Sequence, residues 1–62
     1  MGKPDLYRVQ TKRVVGAVFV RDGIIVDSAM FFKRNIGQKF TDFVNNLKDL
    51  ESYSKVDWDY VH

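Results

Sequence analysis

Apolar and polar positions change rhythm along this chain, and each rhythm predicts a different element. Residues 14–20 (VVGAVFV) and 24–26 (IIV) are β-branched and aromatic runs, the composition of strands. Between them stand Arg21, Asp22 and Gly23. Asp-Gly tolerates positive φ at both central positions of a type I′ turn, so the two runs predict a tight hairpin with Ile24 to about Ser28 as its second strand. A two-residue loop fixes the register: Arg21 opposite Ile24, Val20 opposite Ile25, Phe19 opposite Val26 and Val18 opposite Asp27. Successive side chains point to opposite faces, so Val15, Ala17, Phe19, Ile24 and Val26 share one face. Val18, Val20 and Ile25 share the other with Gly16 and Asp27. Both faces are apolar, whereas a hairpin with one wet side alternates apolar and polar residues. The pattern therefore asks for cover on two sides.

Upstream, Leu6 to Gln10 reads as a short strand with Tyr7 and Val9 on one side and Leu6, Arg8 and Gln10 on the other, followed by the polar break Thr11-Lys12-Arg13. Downstream, Ala29 to Ile36 (AMFFKRNI) predicts a short helix stopped by Gly37, which takes the left-handed conformation readily. Phe40, Phe43, Val44, Leu47 and Leu50 fall at helical spacing, predicting a second helix from Gln38 or Thr41 to Leu50 with Asp42 in its first turn. In the tail, SYSKVDWDYVH, Val56, Trp58 and Tyr60 alternate with Asp57 and Asp59, the period of an edge strand or of a lid across the second sheet face. The predicted fold is α+β: a small antiparallel, hairpin-based sheet of two to four strands packed against one or two helices. Residues 1–62 form a single small domain, with 1–5 as a loose N-terminal arm and 51–62 as the tail.

Length sharpens the question of cover. A chain of 62 residues buries only about 60% of the surface it exposes when unfolded, and small scaffolds usually add disulfides, a metal or a second subunit. There is no cysteine, and the single histidine is His62. Packing, or a partner, must supply the stability. Absence of cysteine fits a reducing compartment. The N-terminal segment lacks the apolar core of a signal peptide, and the longest apolar run, 14–20, falls well short of the roughly 20 residues of a membrane span. The expectation is a soluble, cytoplasmic protein without membrane contact; Met1-Gly2 does not begin a myristoylation motif, because position 6 is leucine.

Candidate chemistry is sparse. Nucleophilic catalysis needs a nucleophile oriented by a base, and a Ser-His-Asp arrangement would have to be built on His62. The carboxylate pairs Asp22/Asp27 and Asp57/Asp59 read as solvated polar residues rather than metal ligands or acid/base pairs. Gly37 stands without a glycine-rich phosphate loop around it, and zinc-finger spacing is impossible. The reading is a protein that is not an enzyme and has no cofactor, metal or small-molecule substrate.

Net charge is +2, but residues 1–41 carry eight basic and three acidic side chains (+5) while 42–62 carry two and five (−3). Within the basic part, FFKRNIGQKF (31–40) interleaves aromatics with Lys33, Arg34 and Lys39, a mixture that suits a protein interface or stacking on bases beside phosphates. If Phe32 and Ile36 face the core, Phe31 points away beside the cations. Phe31, Lys33, Arg34 and Trp58 are therefore the candidate partner contacts, with Trp58 either the lid of the second face or an aromatic anchor. The alternative is nucleic-acid binding through Lys12, Arg13, Arg21, Lys33, Arg34 and Lys39, with Arg8 near the hairpin as well. A helix-turn-helix about Gly37 is disfavoured because Asp42, Asp49 and Glu51 would face phosphates.

The run from Val14 to Phe43, with VxVxDGxIVDxA at 18–29 and IGxxF at 36–40, resembles short open reading frames of bacteriophage genomes, whose products are largely uncharacterised. That resemblance covers about half the chain and carries no catalytic residues. It implies a small phage-encoded protein in the bacterial host cytoplasm, binding and redirecting a host protein or the DNA. Together with the excess apolar surface, this predicts non-catalytic protein binding, to a host protein or to a second copy of the chain.

Overall fold

A computed structural model describes residues 3–29 and 31–58. Four strands, β1 (Asp5–Thr11), β2 (Val15–Arg21), β3 (Ile24–Ala29) and β4 (Leu50–Val56), form one antiparallel sheet in the order β3-β2-β1-β4. Between β3 and β4 the chain makes a 3-10 turn at Lys33–Asn35 and one helix, α1 (Phe40–Asn46). The fold is α+β. The first three strands form a meander, and the 3-10 turn and α1 cross one face to bring β4 in beside β1.

The Asp22-Gly23 hairpin forms as expected, with φ of 53° and 77° and with Arg21 opposite Ile24 and Val20 opposite Ile25. Beyond those pairs the register departs from the uninterrupted ladder. A bulge between Phe19 and Val20 leaves Val26 as an extra residue, and Phe19 then faces Asp27, Val18 faces Ser28 and Ala17 faces Ala29. The physical reason is electrostatic. An unbroken ladder would place the Asp27 carboxylate beside Val18, which is fully buried, and burying an unpaired charge costs several kcal/mol. The bulge turns Asp27 outward and seats Ser28 inside, where its hydroxyl donates to the Ala17 carbonyl at 3.3 Å. Asp27 Oδ1 accepts the Ser28 amide at 2.8 Å.

Val18, Val20 and Ile25, together with Val9 of β1, are buried beneath Phe32, Phe40 and Phe43. The aromatic rings interlock: Phe32 meets Phe43 edge-on with centroids 5.1 Å apart, and Tyr7 lies 4.5 Å from Phe40. Gly16 is required by this layer. A Cβ at that position would lie 2.5 Å from Phe32 Cε2, so glycine lets the ring press on the sheet backbone.

Ala29 to Ile36 is not the helix expected. Ala29 ends β3, only Lys33–Asn35 are helical, and Ile36 is extended and exposed rather than facing inward with Phe32. A two-turn helix nucleates poorly, and the segment's backbone has a competing use. The Gly37 amide donates to the Ile25 carbonyl at 2.7 Å, the Ile25 amide to the Gln38 carbonyl at 2.9 Å, and the Phe40 amide to the Gly23 carbonyl at 2.8 Å. Residues 37–40 thus lie along the free edge of β3, with Gly37 at φ 96°. The helix-turn-helix comparison falls with that first helix.

The second helix is shorter than its apolar stripe. Phe40 and Phe43 are buried, Val44 and Leu47 pack partly, and Leu50 already belongs to β4. Asn45 and Asn46 are weak helix formers, and the Asp49 carbonyl accepts the Lys12 amide at 3.0 Å, which tethers the chain to the β1–β2 loop. The tail is an edge strand, but it starts at Leu50 and ends before Trp58.

The β1–β2 connection rests on one hydroxyl. Thr11 is buried; its Oγ1 accepts the Arg13 and Val14 amides at 3.2 and 3.0 Å and donates to the Val14 carbonyl at 3.1 Å. Thr11→Val keeps the shape and strands those donors, so urea denaturation is expected to show a loss of about 1–2 kcal/mol, while Thr11→Ser stays near wild type. Equal stability of the valine and serine variants would remove this role.

Candidate binding surface

Pairing assigns the second face of the sheet without ambiguity. Leu6, Arg8 and Gln10 of β1 stand opposite Phe19, Ala17 and Val15 of β2, and opposite Val56, Ser54 and Ser52 of β4. Ala29 and Asp27 of β3 continue the rows. Among the described residues no helix lies on this side, since α1 and Phe32 occupy the other. Val15 is 48% and Val26 40% exposed. A shallow depression of about 380 Å³ is lined by Leu6, Arg8, Val15, Ala17, Ala29 and Val56. Continuous apolar surface of this kind on a small chain marks an interaction face.

Trp58 covers one corner of it. The indole stands edge-on to Phe19 with centroids 5.3 Å apart, its Nε1–H donates to the Pro4 carbonyl at 3.2 Å, and Lys3 Nζ lies 5.0 Å from the ring centroid. The arm at residues 3–4 is thereby drawn onto the sheet. Both sequence expectations for the tail are met in part: β4 supplies an edge strand, and Trp58 covers the end of the face near the hairpin turn. Among the described residues nothing else covers the face.

The expected contact residues are not gathered into one cluster. Phe31 is 51% exposed and follows β3 by two residues, at the end of the sheet where Ala29 and Val15 lie. Lys33 and Arg34, both exposed, sit in the 3-10 turn beyond it. Trp58 follows β4 at the opposite end, where Val56 pairs with Leu6 and Leu6 with Phe19. Phe31 and Trp58 thus stand at diagonally opposite corners of the sheet.

The cations are equally dispersed. Lys12 and Arg13 occupy the β1–β2 loop, Arg21 and Lys39 lie near the hairpin turn, and Lys33 and Arg34 lie past the far end of β3; all six are exposed. Acidic side chains are interspersed: Asp5 pairs with Lys55 at 3.4 Å, and Glu51 Oε1 accepts from Gln10 Nε2 at 3.3 Å. A second depression, of about 530 Å³, brings Lys3 and Lys55 together with Asp5, Asp57 and Trp58, a charge-balanced lining. Of the carboxylate pairs, Asp22 lies in the hairpin turn and Asp27 in the bulge, while Asp59, Tyr60 and His62 fall outside the described residues. Among the described residues no helix is long and apolar enough to cross a membrane.

Sequence reasoning missed Val15, Ala17 and Val26 as the face left open, because alternation shows that two faces are apolar but not which one the helix takes. The glycine at position 16 was the available signal: a glycine inside a strand marks close approach from its own side, and Phe32 makes that approach.

Comparison of the chain with protein-family models, with curated proteins and with solved structures finds no match in any of the three.

Proposed function

We propose that this chain is a small non-catalytic binding module whose open sheet face takes a protein partner. The observation that carries the reading is the apolar surface formed by Val15, Ala17, Val26 and Ala29, uncovered among the described residues, with Phe31 at one end and Phe19 beneath Trp58 at the other. Arg8 stands in the middle of the face, so the fitting partner presents an apolar stripe with a carboxylate within it. Arginine among aromatic and aliphatic side chains is the composition of protein interfaces. The patterning resemblance to small phage proteins supports a bacterial cytoplasmic protein as that partner. Phe31, Lys33, Arg34 and Trp58 frame the face rather than fill it.

Nucleic acid is the weaker reading, because Lys12, Arg13, Arg21, Lys33, Arg34 and Lys39 are distributed over both ends and one flank instead of tracking one backbone path. The test is affinity capture from a nuclease-treated bacterial lysate, quantified for the wild type and for Ala17→Glu. One partner is expected to survive raised salt and to be lost with the variant. A charge in the middle of the face should weaken binding by about 2 kcal/mol, roughly thirtyfold. The reading fails if capture disappears with nuclease or falls steeply with salt, or if the variant retains the same partner.

A further inference from the structure

Arg8 stands in the interior of the sheet, between Ala17 of β2 and Ser54 of β4, with Leu6 and Gln10 on the same side of β1. Among the described residues its guanidinium has no hydrogen bond, ion pair or ring contact. The carboxylates of this face are placed differently. Asp27 accepts the Ser28 amide at 2.8 Å and Glu51 accepts from Gln10 at 3.3 Å, and each belongs to a border strand. An arginine among aliphatic side chains presents a planar fork of donors that matches a carboxylate in two parallel hydrogen bonds.

Around Arg8 the face is hollowed. Ala17 and Ala29 face each other across β2 and β3 and contribute one methyl each. Leu6 and Val56 rise on the β1–β4 side and Val15 at the loop end, while the Trp58 indole stands over Phe19 at the hairpin end. From Val56 to Ala29 this trough crosses four strands, roughly 16 Å at standard spacings. Three turns of α-helix have the same length. A second sheet laid flat on the face would strike the indole.

We infer that the occupant of the trough is a single amphipathic helix of another protein, carrying a carboxylate inside its apolar stripe for Arg8. The inference rests on the open-face reading and names the form of the partner. Apolar side chains at i, i+3, i+4 and i+7 fill a trough of this kind, and the helix sheds water from the arginine as it covers it, so the ion pair sets selectivity. A second copy of the chain fits less well. The face measures roughly 19 by 17 Å at standard spacings, on the order of 300 Å², against the ~800 Å² per partner of a stable interface, and the copy would bring in another Arg8. Nucleic acid would set its phosphates against Asp27 and Glu51 on the two borders. A contact of this size suits a peptide-length segment bound at micromolar strength.

The chain has one tryptophan, and its place beside the trough makes its emission a report of occupancy. The experiment titrates the full chain with synthetic helices of roughly 14 residues that differ only in whether the middle of a leucine stripe is glutamate, glutamine or lysine. The glutamate peptide is expected to bind best, and the lysine peptide at least about tenfold more weakly. Arg8→Glu, at an exposed position, should keep its circular dichroism and reverse that order. The inference is overturned if no peptide binds by millimolar concentration, if a scrambled glutamate peptide binds as well as the amphipathic one, or if Arg8→Glu leaves the order unchanged. It is also overturned if the wild type associates with itself and Ala17→Glu abolishes that, which would assign the face to a second copy. A lysate partner lost with Ala17→Glu but not displaced by the glutamate peptide would sink the helix and leave the open-face reading standing; a partner kept by Ala17→Glu would sink both.

Discussion

Replacing Phe43 by alanine is expected to leave much of the chain unfolded at 25 °C. Phe43 is 2% exposed and lies between Phe32, at 5.1 Å, and Phe40, at 6.2 Å. It joins the 3-10 turn and α1 to the valines of the sheet in a single cluster. Truncating a buried phenylalanine costs about 3–5 kcal/mol. A chain of 62 residues has a total of only about 3–9 kcal/mol at typical per-residue stabilities. The melting temperature should fall by ~12 °C or more, if a cooperative transition survives at all. Phe43→Leu, which retains most of the volume, should fall between wild type and alanine. A shift of only a few degrees for the alanine variant would show that α1 is not what holds this face closed.

Ser28→Asp is the second large effect, and it tests the bulge. Ser28 is 6% exposed and faces the core beside Val18, while Asp27 next to it faces outward. With aspartate at both positions, the strand cannot avoid burying a carboxylate: the bulged ladder puts position 28 inside, and an unbulged one puts position 27 inside. The expected loss is about 3 kcal/mol or more at neutral pH. Burial raises the folded-state pKa of such a carboxyl, so the penalty is full above that value and fades as pH falls toward the unfolded value of ~3.9. The gap from wild type should therefore narrow on acidification. Ser28→Ala, which loses only the bond to the Ala17 carbonyl, is expected to cost about 1 kcal/mol. If Ser28→Asp melts with the wild type, position 28 is not inside and the bulge is absent.

The parts of this fold legible in the sequence are those set by local chemistry. Asp22-Gly23 fixed the turn because few dipeptides accept two positive φ values, and the alternation of Tyr7 and Val9 against Leu6 and Arg8 placed β1 correctly. Phe31 is outside and Phe32 inside, as helical spacing suggested, although no helix longer than one 3-10 turn exists there. The errors arose where distant groups compete for the same backbone. Ala29 pairs with Ala17, and Gly37 and Gln38 bond to Ile25, so a segment with helical pattern becomes strand and edge cover. The bulge at Val26 could not be read from the turn, because it depends on what lies above Val18. The open face was half legible: excess apolar surface was evident, but its location followed only from where Phe32 and Phe43 settle.

The strip at residues 37–40 also limits how large an assembly can grow. Fibrous polymers of β-sheet need two receptive borders on every subunit, one to accept and one to offer. Here Gly37, Gln38 and Phe40 already occupy the main-chain groups of Gly23 and Ile25, and the kink at Val26 distorts what remains of that border. Strand addition along that border is thereby blocked, which keeps a short chain rich in valine and phenylalanine from seeding filaments.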